Sequence, residues 1–305
     1  MMKNEILNKC QKQQINLLKT VSKSYRCFPS GSYQSVICNY NNIQNNECKY
    51  DVVNIIYEYC KRAAYIIKTS GENTKYFMKI KSKDLDNYNE IEVFNYMINL
   101  YHPNIIKFIE YYETPVCYNF IYEYINGVNL DEYIKKSTLN DNIIKHIMLH
   151  IISAVKFLHD NKIIHCDLKM DNIIVSSDGN IKLIDFDLAR ICNDSMECIT
   201  DVVIGTDGYI APESYDLCIY SPKSDVWSIG VILYIIITNK FPFDHSIDES
   251  NMYRRNKFKH LDIKSIKSAI EINNYSPEFI KLIKKMLKFN DNDRIGLIDI
   301  NLKIN

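Results

Sequence analysis

Glycine and proline are scarce in this 305-residue sequence, with 8 and 7 copies. Neither charge is in excess, since Lys plus Arg and Asp plus Glu both number 37. A balanced chain gives no electrostatic reason to expect a nucleic acid or an anionic membrane as partner. The ten cysteines include no Cys-x-x-Cys pair, and Met1 opens no signal peptide. That spacing argues against a zinc site or a disulfide framework, so Cys166, Cys192 and the others read as buried or idle thiols in a reducing compartment. No apolar run is long enough to span a bilayer. The longest, Val226 to Ile237, is interrupted by Ser228 and Gly230 and reads as a buried helix. The expectation is a soluble intracellular protein, cytoplasmic or nuclear.

What the chain has in abundance is Asn, Ile, Lys and Tyr, the bias of an AT-rich coding sequence, which inflates chance motifs built from those residues. The 23 tyrosines follow from that bias and are no nucleic-acid stacking platform. Residues 1–50 are polar and asparagine-rich near 39–46, and read as an extension or poorly ordered arm with one helical stretch over 6–21. From Asp51 the pattern changes. Runs at 52–59, 63–69 and 75–81 are rich in β-branched and aromatic residues, with Ser70-Gly71-Glu72-Asn73 as a turn. Ile91, Phe94, Met97 and Ile98 then recur at helical spacing, and strands follow near 105–112 and 118–124. After Asn126-Gly127 the pattern is mainly helical, over 130–136, 142–159, 224–238 and 277–289, with short strands at 173–175 and 181–184. Strands first and helices later predict an α+β protein with a small antiparallel sheet lobe carrying one helix and a larger helical lobe. The expected divisions are residues 1–50, 51–125 and 126–305.

The informative segment is Ile164-His165-Cys166-Asp167-Leu168-Lys169-Met170-Asp171-Asn172. Phosphoryl transfer to an alcohol needs a carboxylate beside the hydroxyl and oxygen ligands for a divalent cation close by. Asp167 and Asn172 stand five apart in a loop that leads into an apolar strand, and Asp185 follows thirteen residues after Asn172 at another strand end. Lys169, two residues past Asp167, is placed to neutralise charge on a transferred group.

These residues resemble the protein kinase superfamily. His165-Cys166-Asp167-Leu168-Lys169-x-x-Asn172 is similar to its catalytic loop, and Asp185-Phe186-Asp187 to its metal-binding Asp-Phe-Gly motif. Gly205-Thr206-x-Gly208-Tyr209-Ile210-Ala211-Pro212-Glu213 resembles the end of an activation segment, and Asp225-Val226-Trp227 the start of the large buried helix. Arg294 sits where the family has an arginine paired with the Glu213 equivalent. The ordered set, over about residues 51 to 300, is far more specific than any one motif. The resemblance implies a bilobal kinase-like fold using ATP and Mg²⁺, or Mn²⁺, on protein substrates. It makes Asp167 the catalytic base, Asn172 and Asp185 the metal ligands, and Lys169 a contact of the γ-phosphate. Lysine at that last position is the Ser/Thr pattern. Glu123 and Ile125 match the hinge that binds adenine, with Tyr122 as gatekeeper. Lys79 matches the phosphate-positioning lysine, with Lys68 as second candidate. Glu90 is its ion-pair partner, and fits better than Glu92.

Three departures stand out. No glycine-rich loop precedes Lys79 at the usual spacing. In one register Ala64 takes the place of the loop's valine, and Tyr57, Tyr59 and Arg62 take the glycine places. In the other, Ser30-Gly31-Ser32-Tyr33-Gln34-Ser35-Val36 is the loop, followed by a long insertion. Glycines let a backbone approach phosphates closely, and side chains obstruct that approach. Asp187 replaces the metal-motif glycine, and a second carboxylate there either repels phosphates by up to ~4 kcal/mol at 4 Å and effective dielectric 20, or points to solvent, or joins the metal shell and favours Mn²⁺. Cys166 replaces the arginine that commonly reads a phosphorylated activation loop. Switching through Ser195 or Thr200 is therefore expected to be weak. His165, Asp225 and Trp227 read as architectural. The alternative function is a pseudokinase that serves as an interaction scaffold. A small-molecule kinase is disfavoured because Ala211-Pro212-Glu213 and Trp227 belong to a protein-substrate platform.

Overall fold

The computed structural model describes residues 50–59, 61–69, 71–85, 88–243, 261 and 263–300. The helix expected over 6–21 and the Ser30–Val36 register lie outside them. The chain divides into two compact units, one running through Tyr101 and including Ile106–Val128, the other comprising His102–Ile105 and Asn129 onward.

The first unit is a five-stranded antiparallel sheet in the order β1-β2-β3-β5-β4. Its strands are β1 (Tyr50–Tyr59), β2 (Arg62–Thr69), β3 (Lys75–Ser82), β4 (Phe108–Glu113) and β5 (Cys117–Glu123), with helix α1 (Tyr88–Met97) after β3. Alternation sorts the two faces. Tyr65, Ile67, Met78, Ile80 and Ile121 build a buried cluster on one, while Ala64, Ile66 and Ile56 pack with Tyr57, Phe77 and Tyr124 on the other. Helix α1 buries Val93, Phe94 and Met97. The Phe94 ring lies 5.0 Å from Phe108 and 5.5 Å from both Phe120 and Tyr122. Glu90 sits one turn before Phe94, so it shares the face that meets the sheet.

In the second unit, α2 (Leu130–Lys136) and α3 (Asp141–Asp160) start at asparagine caps, Asn129 and Asn140, whose side chains accept from the amides of Glu132 and Ile143. Helix α5 (Pro222–Thr238) opens on a Ser221/Ser224 capping box and is buried from Ser224 to Ile237, as expected for the apolar run. Gly230 is where α7 (Glu278–Met286) packs on it, for a Cβ there would lie 2.7 Å from Met286 Cβ. Helices α4 (Pro212–Leu217) and α6 (Ile263–Asn273) complete the unit's described α-helices. Its strands are short: β6 (Ile163–Ile164), β7 (Ile173–Ser176), β8 (Ile181–Leu183), β9 (Arg190–Ile191), β10 (Cys198–Ile199) and β11 (Ile219–Tyr220). They pair antiparallel as β6 with β9, β7 with β8 and β10 with β11. No helix among the described residues is long and apolar enough to cross a membrane.

Candidate active site

The loop between β6 and β7 is held from below by one carboxylate. Asp225, at the start of α5, accepts from the amides of His165 at 3.0 Å and Cys166 at 3.2 Å, and from His159 Nε2 at 2.8 Å. Those contacts fix the backbone where Cys166 takes a left-handed φ of 63°. His165 braces the other side, its Nδ1 accepting from the Asp167 amide at 3.3 Å and its ring 5.0 Å from Phe186.

On this base the Asp167 carboxylate is gripped by three side chains. Lys169 Nζ donates to Oδ2 at 2.8 Å, Asn172 Nδ2 to the same oxygen at 3.2 Å, and Thr206 Oγ1 to Oδ1 at 2.6 Å. Lys169 also donates to Thr206 Oγ1 at 2.7 Å, and Asn172 Nδ2 to the Asp167 carbonyl at 2.9 Å. Thr206 is the member that sequence reasoning left without a role, although it stands in the quoted Gly205-Thr206 motif. Gly205 allows the approach: its φ is 108°, and a Cβ there would lie 2.8 Å from the Cys166 carbonyl oxygen.

The β7–β8 hairpin brings the two expected metal ligands to one end. Ile173 faces Leu183 across the ladder, and the Ile184 amide donates to the Asn172 carbonyl at 2.8 Å. Asn172 thus precedes one strand and Asp185 follows the other. Asp185 is exposed and takes a φ of 62°, Phe186 is buried, and Asp187 is half-buried. Downstream, Arg294 pairs with Glu213 through two hydrogen bonds of 2.7 and 2.9 Å, with the guanidinium side chain fully buried and 5.1 Å over the Trp227 ring.

The first unit carries its own set. Lys79 and Lys81 alternate onto the same face of β3, and both reach Glu90. Lys79 Nζ lies 3.5 Å from Oε1, and Lys81 makes the direct hydrogen bond to Oε2. All three side chains are buried. Lys81 is a partner that the spacing gave no means of choosing, because strand neighbours two apart are equivalent by period. Ala64 lies between Lys79 on β3 and Tyr57 on β1, and Tyr59 faces Arg62 at the tip, leaving only residues 60–61 between the strands. Lys68 pairs with Lys75, away from Glu90's partners. Phe77, two residues before Lys79, packs in the Ala64 cluster 6.4 Å from the Tyr122 ring. Glu123 closes β5, its side chain accepting from the Lys107 amide at 2.8 Å, and Ile125 lies two residues past that strand.

A five-stranded sheet with its helix, followed by a helical unit holding the Asp167–Lys169–Asn172 loop, defines a kinase-like fold. A family model described as "Protein kinase domain" matches residues 34–302, and the chain belongs to that family, the eukaryotic-type protein kinases. Relatives include mouse calcium/calmodulin-dependent protein kinase type IV, 33% identical over 195 residues, covering 63% of this chain and 41% of that protein. A probable myosin light chain kinase of Dictyostelium discoideum is 36% identical over 228 residues, covering 72% and 46%. The chain therefore spans less than half the length of these relatives. Among solved structures, the granulovirus kinase PK-1 of Cydia pomonella shares the fold, with a TM-score of 0.69 at 24% identity, covering 88% of this chain and 95% of that one.

Proposed function

We propose that the chain transfers the terminal phosphoryl group of ATP to serine or threonine hydroxyls of protein substrates, with Asp167 as the general base. The observation that carries this reading is the Asp167 carboxylate fixed between Lys169, Asn172 and Thr206. A base acts only if it is held in one orientation within hydrogen-bond reach of the hydroxyl. Lys169 puts a positive charge beside that base, where negative charge on the transferred group develops.

With its Nδ2 committed to Asp167, Asn172 has Oδ1 as its remaining acceptor, and Asp185 offers an exposed carboxylate. One amide and one carboxylate oxygen suit Mg²⁺ when phosphates complete its shell. No group of three or more His, Cys, Asp or Glu among the described residues forms an all-protein cage. When bound, Mg²⁺ supplies charge neutralisation and alignment of the phosphates. Lys79, oriented by Glu90, meets phosphate oxygens. The Glu123 carbonyl and Ile125 amide take the adenine edge, with Ala64 and Tyr57 lining that face of the sheet.

A second reading, ATP-independent scaffolding, is favoured by the side chains at the β1–β2 tip and by Asp187. The deciding assay is casein phosphorylation by purified protein with Mg²⁺ or Mn²⁺, alongside Asp167→Ala. Phosphoserine or phosphothreonine formed by the native chain and lost in the variant supports the proposal. No transfer and no ATP-induced thermal shift in either protein would transfer the case to scaffolding.

A further inference from the structure

Two cysteines that spacing alone marks as unrelated lie together in the segment after Asp185. Cys192 follows β9, which pairs with β6, and Cys198 opens β10, which pairs with β11. Between them, the Met196 amide donates to the Asn193 carbonyl and Met196 takes a φ of 57°, which turns the chain back on itself. The two Sγ atoms are 2.6 Å apart, well inside the contact distance of two unlinked sulfurs. They sit in an apolar cluster with Ile164, Cys166, Tyr220 and Leu188. Cys192 is buried, with its amide donating to the Lys162 carbonyl at 2.7 Å, whereas Cys198 is half-exposed.

We propose that Cys192 and Cys198 form a site of reversible disulfide modification that closes residues 192–198 into a covalent loop. The partner is a small-molecule disulfide of the oxidised glutathione type. The Cys198 thiolate attacks it, breaking the S–S bond and releasing one small thiolate, and a mixed disulfide forms on Cys198. Cys192 then attacks the Cys198 sulfur, and its proton leaves with the second small thiol. Two protein thiols are oxidised to one disulfide, and one small disulfide is reduced to two thiols. Geometry assigns the roles, because Cys198 is the sulfur that solvent reaches. Its chemistry agrees: the hydrogen bond from Cys192 and the charge of Arg190 hold Cys198 below the usual thiol range, and the same contact plus burial pushes Cys192 up. Cys166 lies in the same cluster, but no third ligand completes a metal-binding group among the described residues.

The test is peptide mapping of the full chain after incubation with oxidised glutathione, acid quench and alkylation. Cleavage after Glu197 separates the two cysteines, so a disulfide is read as two joined peptides that reductant releases. The expected result is that linkage in the native chain and in Cys218→Ser, and its loss in Cys192→Ser and Cys198→Ser. In Cys192→Ser, Cys198 should instead retain glutathione as a mixed disulfide. Full alkylation of both cysteines after a large excess of oxidised glutathione overturns the proposal, as does linkage of either one to Cys166, Cys218 or a second chain.

Discussion

Glu90 shares one buried carboxylate between two lysines, and the two contacts differ in kind. Lys81 makes the direct hydrogen bond while Lys79 stands at 3.5 Å, close enough for attraction and far enough to be drawn toward another anion. Removing Lys81 should therefore cost mainly stability. Lys81→Met is expected to lose about 1–3 kcal/mol in urea denaturation, the cost of an unsatisfied buried charged partner. Lys79→Met is expected to cost less stability than Lys81→Met and to lower kcat/KM for ATP by about 100-fold. Equal stability losses in the two variants would contradict this division. Thr206 is a similar case, for its hydroxyl is the link between Asp167 and Lys169. Thr206→Val should lower kcat by about 10- to 100-fold, the worth of a hydrogen bond to a charged group. Cys198 gives a pH prediction whose sign follows from its lowered pKa. Its thiolate is populated at lower pH than that of an ordinary thiol. Under reducing conditions its alkylation rate should therefore reach half-maximum at a lower pH than that of an ordinary thiol, and Cys192→Ala should move that midpoint upward.

At the scale of elements, the second unit is organised around α5, to which Arg294 ties the chain after α7 by donating to the Lys223 carbonyl at 2.7 Å. Arg294 and Glu213 form a buried bidentate pair that ties the chain after α7 to the start of α4. Breaking such a pair leaves one charge buried without its partner, so Arg294→Met is expected to cost about 3–5 kcal/mol in chemical denaturation. Retention of full stability would place that pair in a solvated environment instead. Helix α5 was legible in the sequence because the run from Val226 to Ile237 is apolar at every position but Ser228 and Gly230. Helix α6 was not, since its buried Ile266 and Ile270 are β-branched residues in a lysine- and serine-rich stretch of modest helix propensity. The residues around Asp167 could be read from motif order, yet Thr206 reaches the carboxylate only because Gly205 lets two loops touch. The Cys192–Cys198 contact depends on two strands of two residues each, too short to leave any periodicity. Likewise, period-2 alternation places Lys79 and Lys81 on one face and says nothing about which of them Glu90 prefers.

Over the whole chain, the polar residues that the resemblance marks are present while glycine is scarce. In the register that puts Ala64 at the loop's valine, Tyr57, Tyr59 and Arg62 take the glycine places, and Asp187 takes that of the metal motif, in a sequence with 8 glycines in all. Charged groups set whether phosphates and metal are attracted; glycines set how closely the chain approaches them. Such a chain should bind nucleotide with a penalty concentrated at Asp187, and thermal shift with Mg²⁺ and ATP measures it. Ligand at 100 times its Kd stabilises by about 2.7 kcal/mol. Asp187→Gly removes a repulsion of up to ~4 kcal/mol, so it is expected to tighten ATP by about tenfold or more, since 1.4 kcal/mol is one decade, and to enlarge the shift at fixed ATP. Asp185→Asn, which removes the carboxylate proposed to hold the metal, should abolish the Mg²⁺-dependent part of the shift. A shift identical in the native chain and Asp187→Gly would mean that this carboxylate is turned away from the phosphates. If all three proteins gave no shift, the retained charges would serve the fold rather than the nucleotide.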